Sequence, residues 1–249
     1  MTMSGKTLTL NGQDLSLEQL VEAGHDPSIN ITIQPSNWPK IEQCRALVEK
    51  WADEEQVIYG VNTSCGGLVN YLLPKGNDRE FQQNLIRSVS TNVGTFLPDE
   101  LVRTTMIARV NSLCRGYSGI KSENLKIYLE MINRGVVPCV PEQGSLGSSG
   151  DLGPLGCIAC VAIGEWKAHY QGKLMDGGAA MAAAGIPLMK LNAKEGLSMI
   201  NGTSCMASIA SSNVFEAGLA IKQSDALAAL SIETLLGRAN PFDLRVHRQ

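Results

Sequence analysis

Along most of this chain apolar residues recur at helical spacing. Ile41, Cys44, Leu47, Val48 and Trp51 fall on one face of a helix over about residues 39–54. Phe81, Leu85, Ile86 and Val89 mark a second helix. Pro98 opens a third, carrying Leu101, Val102, Met106, Val110 and Leu113, with Gly116 just past its end. Ser122 is expected to cap a fourth that stops at Gly135, and Asp151 is a natural N-cap for another. Ser16-Leu17-Glu18-Gln19 is a capping-box pattern, opening a helix that Gly24 closes. At the start, Leu8 to Leu10, Asn11-Gly12 and Leu15 predict a short β-hairpin. Residues 203–236 hold no proline, and Asn240-Pro241 ends the run. A helix that long, mostly small and apolar, needs burial on several sides. The expectation is a mainly α fold, a helical bundle that packs against other subunits.

Composition narrows the class. The chain has 249 residues, 44% hydrophobic and 18% charged, enough for one or two domains with a real core. The net charge of −3, with basic residues scattered, gives no footprint for nucleic acid or an anionic membrane. No apolar run is long enough to span a bilayer, and the first six residues lack the core of a signal peptide. A cytoplasmic protein is expected. Its seven cysteines fit that address, and Cys157-x-x-Cys160, flanked by apolar residues and lacking a second such pair, reads as core rather than a metal site.

The chemistry is concentrated in Gly144-Ser145-Leu146-Gly147-Ser148-Ser149-Gly150-Asp151-Leu152-Gly153. Glycines permit an unusually tight turn. In such a turn the amide nitrogen of Gly150 reaches the carbonyl carbon of Ser148. Ring closure with loss of water gives an imidazolone, and dehydration of Ser149 leaves an exocyclic methylidene, an electrophile no ordinary side chain supplies. Read alone, the same string also serves as a plain loop and helix start.

The string resembles the signature of the ammonia-lyases and 2,3-aminomutases acting on histidine, phenylalanine and tyrosine. These build a 4-methylidene-imidazol-5-one (MIO) group from Ala-Ser-Gly. Here the triad is Ser148-Ser149-Gly150, with a serine at the position that contributes only backbone atoms. The resemblance covers about residues 59–248 in four segments. In Tyr59-Gly60-Val61-Asn62-Thr63-Ser64-Cys65-Gly66-Gly67 it implies Tyr59 as catalytic base. A phenol with pKa near 10 working near pH 7 needs about 4 kcal/mol of help, in part from glycine amides or a helix N-terminus. In the segment 84–94, Val89 stands where histidine- and tyrosine-specific relatives carry a ring-reading histidine, which favours phenylalanine. Asn201 matches the asparagine that contacts the substrate's amino acid portion. Gly66, Leu146 and Gly147 join the expected substrate pocket.

The resemblance implies an ammonia-lyase type helical bundle with a small N-terminal hairpin and a glycine-rich MIO loop. Residues 1–202 form the MIO domain and 203–249 begin the central long helices. The fourth segment, 240–248, is where family members continue for as many residues again, so an N-terminal half is expected. The implied assembly is a homotetramer. The expected activity is conversion of L-phenylalanine to β-phenylalanine through cinnamate, as in bacterial aminomutases that serve antibiotic assembly. A phenylalanine or tyrosine ammonia-lyase is the alternative. A helical oligomerisation fragment without a formed MIO is the non-enzymatic one.

Overall fold

The computed structural model describes residues 5–72, 76–146 and 149–248, apart from the side chains of Leu68 and Asp78. The chain starts with β1 (Thr7–Leu10), crosses through α1 (Leu17–His25) and returns as β2 (Asn30–Ile33), which pairs with β1 in parallel. The expected hairpin is therefore not formed. The type I′ turn that suits an Asn-Gly hairpin needs positive φ at both central residues, and of the two only Gly12 has it. Asn11 instead accepts the amides of Gln13 and Asp14 on its Oδ1 at 2.8 and 3.0 Å, which turns the chain into a helix. Ser16 and Gln19 then form the expected capping box. Gly24 does not end α1. It lies inside the helix, where a Cβ would overlap Thr104 Oγ1, so it marks the close approach of a neighbouring helix.

That neighbour is α4 (Asp99–Leu113), which follows α2 (Trp38–Asp53) and α3 (Asp78–Val89). All three match the helices read from the apolar spacing, and Pro98 caps α4 as expected. Strand β3 (Val93–Phe96) precedes α4, and α5 (Ser122–Asn133) comes after it. Ser122 is the first helical residue of α5 rather than its cap. The cap is Lys121, whose amide donates to Glu195 Oε1 at 2.9 Å. The short strands β4 (Val137–Pro138) and β5 (Pro141–Gln143) lead to the glycine turn, with β5 antiparallel to β3.

Helix α6 (Leu152–Ala162) is buried from Gly153 to its end, the pattern of a helix that is apolar on all sides. Together with Val102, Met106, Ile107 and Val110 of α4 it forms the centre of the core. Cys157 and Cys160 lie in that core, and burial pushes the Cys157 thiol up to about 12. Strands β6 (Lys167–Tyr170) and β7 (Lys173–Asp176) form a hairpin beside β4, followed by α7 (Gly177–Ala183) and the short α8 (Glu195–Ile200). The chain then enters α9 (Ser204–Thr234). Of α9 only Ser204, Cys205 and Ser208 are buried. The burial expected on several sides is not supplied by this chain, and Val214, Ile221, Leu227 and Leu230 stand exposed. Among the described residues, no helix is long and apolar enough to cross a membrane.

Candidate active site

The glycine turn is clamped on three sides. Gly150 has φ +120°, a conformation open to glycine, and a Cβ there would overlap the carbonyl oxygen of Gly202. That same oxygen accepts the amide of Asp151 at 2.7 Å. On a second side stands Asn92, whose Nδ2 donates to Pro141 O at 3.1 Å. A Cβ on Gly144 would come within 2.9 Å of the Asn92 Cα, and one on Gly153 would overlap its Oδ1. The third clamp is Asp151, 6% exposed. It precedes α6 but makes no side-chain cap bond there. Its Oδ2 accepts the Met206 amide at 2.8 Å, and its Oδ1 accepts the Ser145 hydroxyl at 3.3 Å. The expected capping role is replaced by a bond to the first turn of α9, whose free amides attract a carboxylate.

Helix α8 carries the next part. It is anchored by Glu195, 0% exposed, which accepts the amides of Lys121 and Asn192 and the Asn124 Nδ2. Three donors offset the burial of its carboxylate. Gln82 of α3 accepts the Leu197 amide at 3.1 Å. Asn201 ends the helix by donating its amide to Leu197 O at 3.0 Å and leaves its side chain exposed.

Tyr59 is 50% exposed, and its hydroxyl oxygen accepts the Gly66 amide at 3.0 Å. Its loop is pinned by Asn62, which accepts the Ile58 amide and donates to Gln56 O at 2.8 and 2.7 Å. The loop rests on α8 at Gly60, where a Cβ would overlap Leu197 Cδ2. Burial raises the Cys65 thiol, an effect opposed by its hydrogen bond with Tyr59.

The structure thus gathers Gly150, Asn201 and the Tyr59 loop around α8 and the Gly202 turn. Exposed Ser149 adjoins Gly150 in this turn. Val89 is half-buried at the end of α3, against α6, where a Cβ on Gly156 would lie 2.8 Å from its Cγ2. Leu146 is 94% exposed. Gly66 has open space on its Cα. Gly147 and Ser148 lie outside the described residues. A cleft of about 440 Å³ opens beside the turn, between Pro141, Ser145, Asp151, Pro154, Met206 and Ile209.

Three neighbours of this cluster escaped the sequence reading. Asn92 carried no signal, and Asp151 was read as a cap. Arg109 did leave one: with Arg103 it puts positive charge into an α4 segment that is otherwise uncharged and largely buried.

This helical architecture, with a glycine turn braced on the foot of a long helix, is that of the ammonia-lyases and aminomutases. The chain belongs to the aromatic amino acid lyase family, whose model matches residues 15–249. It is 40% identical over 243 residues to a histidine ammonia-lyase of Alkaliphilus metalliredigens, covering 98% of this chain and 48% of that protein. Among solved structures it is similar to the phenylalanine aminomutase of Pantoea agglomerans, with TM-score 0.89 and 44% identity over 98% of this chain and 46% of the other. The histidine ammonia-lyase of Trypanosoma cruzi gives TM-score 0.90 and 34% identity, over 97% of this chain and 47% of that one. The chain spans about half the length of the curated relatives it matches. The family resemblance and the mainly α fold expected from the sequence are both borne out.

Proposed function

We propose that the protein containing this chain is an MIO-dependent 2,3-aminomutase that converts L-phenylalanine to β-phenylalanine through cinnamate. The observation that carries the reading is the Gly150–Gly202 clamp. It fits the ring, because the φ of Gly150 and the oxygen against its Cα exclude any side chain where Ser148-Ser149-Gly150 must close. Once formed, the group supplies an electrophile that takes up the substrate amine and makes it a better leaving group.

Tyr59 is the base that removes the β-proton, a step worth typically about 10²–10⁴-fold. The Gly66 amide donating to its oxygen stabilises negative charge there. Asn201, with its side chain exposed at the end of α8, binds the amino acid portion of the substrate, with Gly66 on the facing Tyr59 loop. Val89 offers an apolar surface to a phenyl ring and no partner for a phenol or imidazole, which would leave a buried polar group unpaired. The apolar residues that α9 leaves exposed support assembly with other copies, as a homotetramer. Seven free cysteines support a reducing, cytoplasmic setting.

The 40% identity to a histidine ammonia-lyase favours a second reading, release of ammonia and the arylacrylate. Incubating the full-length protein with phenylalanine, tyrosine or histidine separates them. β-Phenylalanine from phenylalanine is the expected product. Accumulation of cinnamate and ammonia alone would make it a lyase, and turnover of histidine alone would overturn the specificity.

A further inference from the structure

One buried cation beside the site has no assigned task. Arg109 of α4 is 4% exposed, and burial pulls its guanidinium below the ordinary arginine range. Two other buried arginines of this chain make three hydrogen bonds each. Arg103 donates to the carbonyls of Ala23, Ile29 and Ile132, and Arg45 donates to those of Gly119 and Ala193 and to Glu49. Arg109 donates from Nη2 to Ser198 O, while its Nε has no hydrogen-bond partner among the described residues. Nor does it pair with a carboxylate among them. Burying a guanidinium with donors to spare opposes folding, so its location needs a reason.

That location is the turn that holds the triad. Nη1 lies against Gly202, where a Cβ would overlap it. Ser198 and Gly202 bracket the end of α8, so Arg109 grips both sides of the turn that carries Asn201. The Gly202 carbonyl in turn abuts Gly150 and accepts the Asp151 amide.

We propose that Arg109 is a positioning residue for ring closure. By pinning the Ser198–Gly202 turn it keeps the Gly202 carbonyl pressed on Gly150, the residue whose nitrogen must close the ring. The inference rests on the ring-closing reading above. In the first step a C–N bond forms, and the Ser148 oxygen leaves as water with the amide protons of Gly150 and Ser149. In the second, the Ser149 hydroxyl leaves as water with the Ser149 α-proton. Neither step needs an oxidant, and Arg109 exchanges no proton in either.

The test is the intact mass of the full-length chain at intervals after cell-free synthesis, with thermal unfolding as the measure of folding. Wild-type protein is expected to become lighter by two waters. Folded Arg109→Met is expected to close the ring on the order of 10²-fold more slowly, the penalty a misplacement of an ångström carries. Arg109→Lys, which keeps the charge, is expected to recover part of the rate. A folded Arg109→Met that closes at the wild-type rate overturns the inference and leaves the ring-closing reading standing. A wild-type protein that keeps its encoded mass overturns both. Should Arg109→Met not fold, Gly202→Ala carries the test by pushing a methyl against the guanidinium. Slower closure supports the inference, and wild-type closure overturns it.

Discussion

Asp151 and Met206 join two helices end to end: the carboxylate before α6 accepts the first-turn amide of α9 at 2.8 Å. The aspartate side chain thereby holds the glycine turn to the foot of the longest helix. A buried acceptor removed from such a pair leaves an amide without a partner.

Asp151→Ala is therefore expected to destabilise the chain by about 1–3 kcal/mol, with Asp151→Asn recovering part of the loss. Urea unfolding measures it. An Asp151→Ala protein as stable as wild type would mean that water replaces the carboxylate at no cost.

At the ring, two substitutions separate conformation from chemistry. Gly150→Ala places a methyl on the Gly202 oxygen in a backbone region hostile to side chains, and is expected to cost about 1–3 kcal/mol and prevent ring closure. Ser149→Ala leaves the exposed turn unstrained, so wild-type stability is expected without the second dehydration. Mass and melting temperature together check both. An unstrained Gly150→Ala protein would refute the clamp.

Val89 tests substrate choice. Val89→His is expected to raise turnover of tyrosine or histidine relative to phenylalanine by about tenfold or more, by giving a buried polar group a partner. The ratio of kcat/KM values for paired substrates reads it. An unchanged ratio would assign Val89 to the packing of α3 on Gly156 alone.

Arg87 and Glu165 offer a test by pH. Hydrogen bonds from Arg87 hold the Glu165 carboxyl below the usual carboxylate range, and hold the arginine above its own. A lowered carboxyl pKa stabilises the fold above the unfolded value, and the gain is lost as pH falls through the folded one. Because the pair is partly exposed, solvent screening limits it to about 1 kcal/mol or less. Arg87→Met is expected to lose that amount at neutral pH and progressively less at acid pH, as the Glu165 carboxyl takes up its proton. A loss equal at neutral and acid pH would point to packing of the arginine stem instead.

What could be read from the sequence follows the range of the interactions. Helix α2 was legible because Ile41, Cys44, Leu47 and Val48 repeat within a few residues of each other. Ser16 and Gln19 were legible for the same reason. The pairing of β1 was not, because its partner Asn30–Ile33 lies beyond a whole helix and an Asn-Gly pair suits several turns. Asp151 was placed at the right boundary and given the wrong partner, since the Met206 amide comes from 55 positions away. Within the site, Tyr59, Ser149, Gly150 and Asn201 were named from motif resemblance. The contacts that bring their segments together, Gly60 on Leu197 and Gly150 on Gly202, arise from tertiary packing that no local pattern encodes.

The hydrogen bond onto Gly202 comes from the nitrogen of Asp151, one residue beyond the ring-forming triad. Ring closure as proposed would strip the amide hydrogens from Ser149 and Gly150, so a bond made by either would vanish as the product formed. The Asp151 hydrogen takes no part in that chemistry. The support that shapes the precursor would therefore stay attached through that change, so that the backbone is rewritten without letting go of the fold.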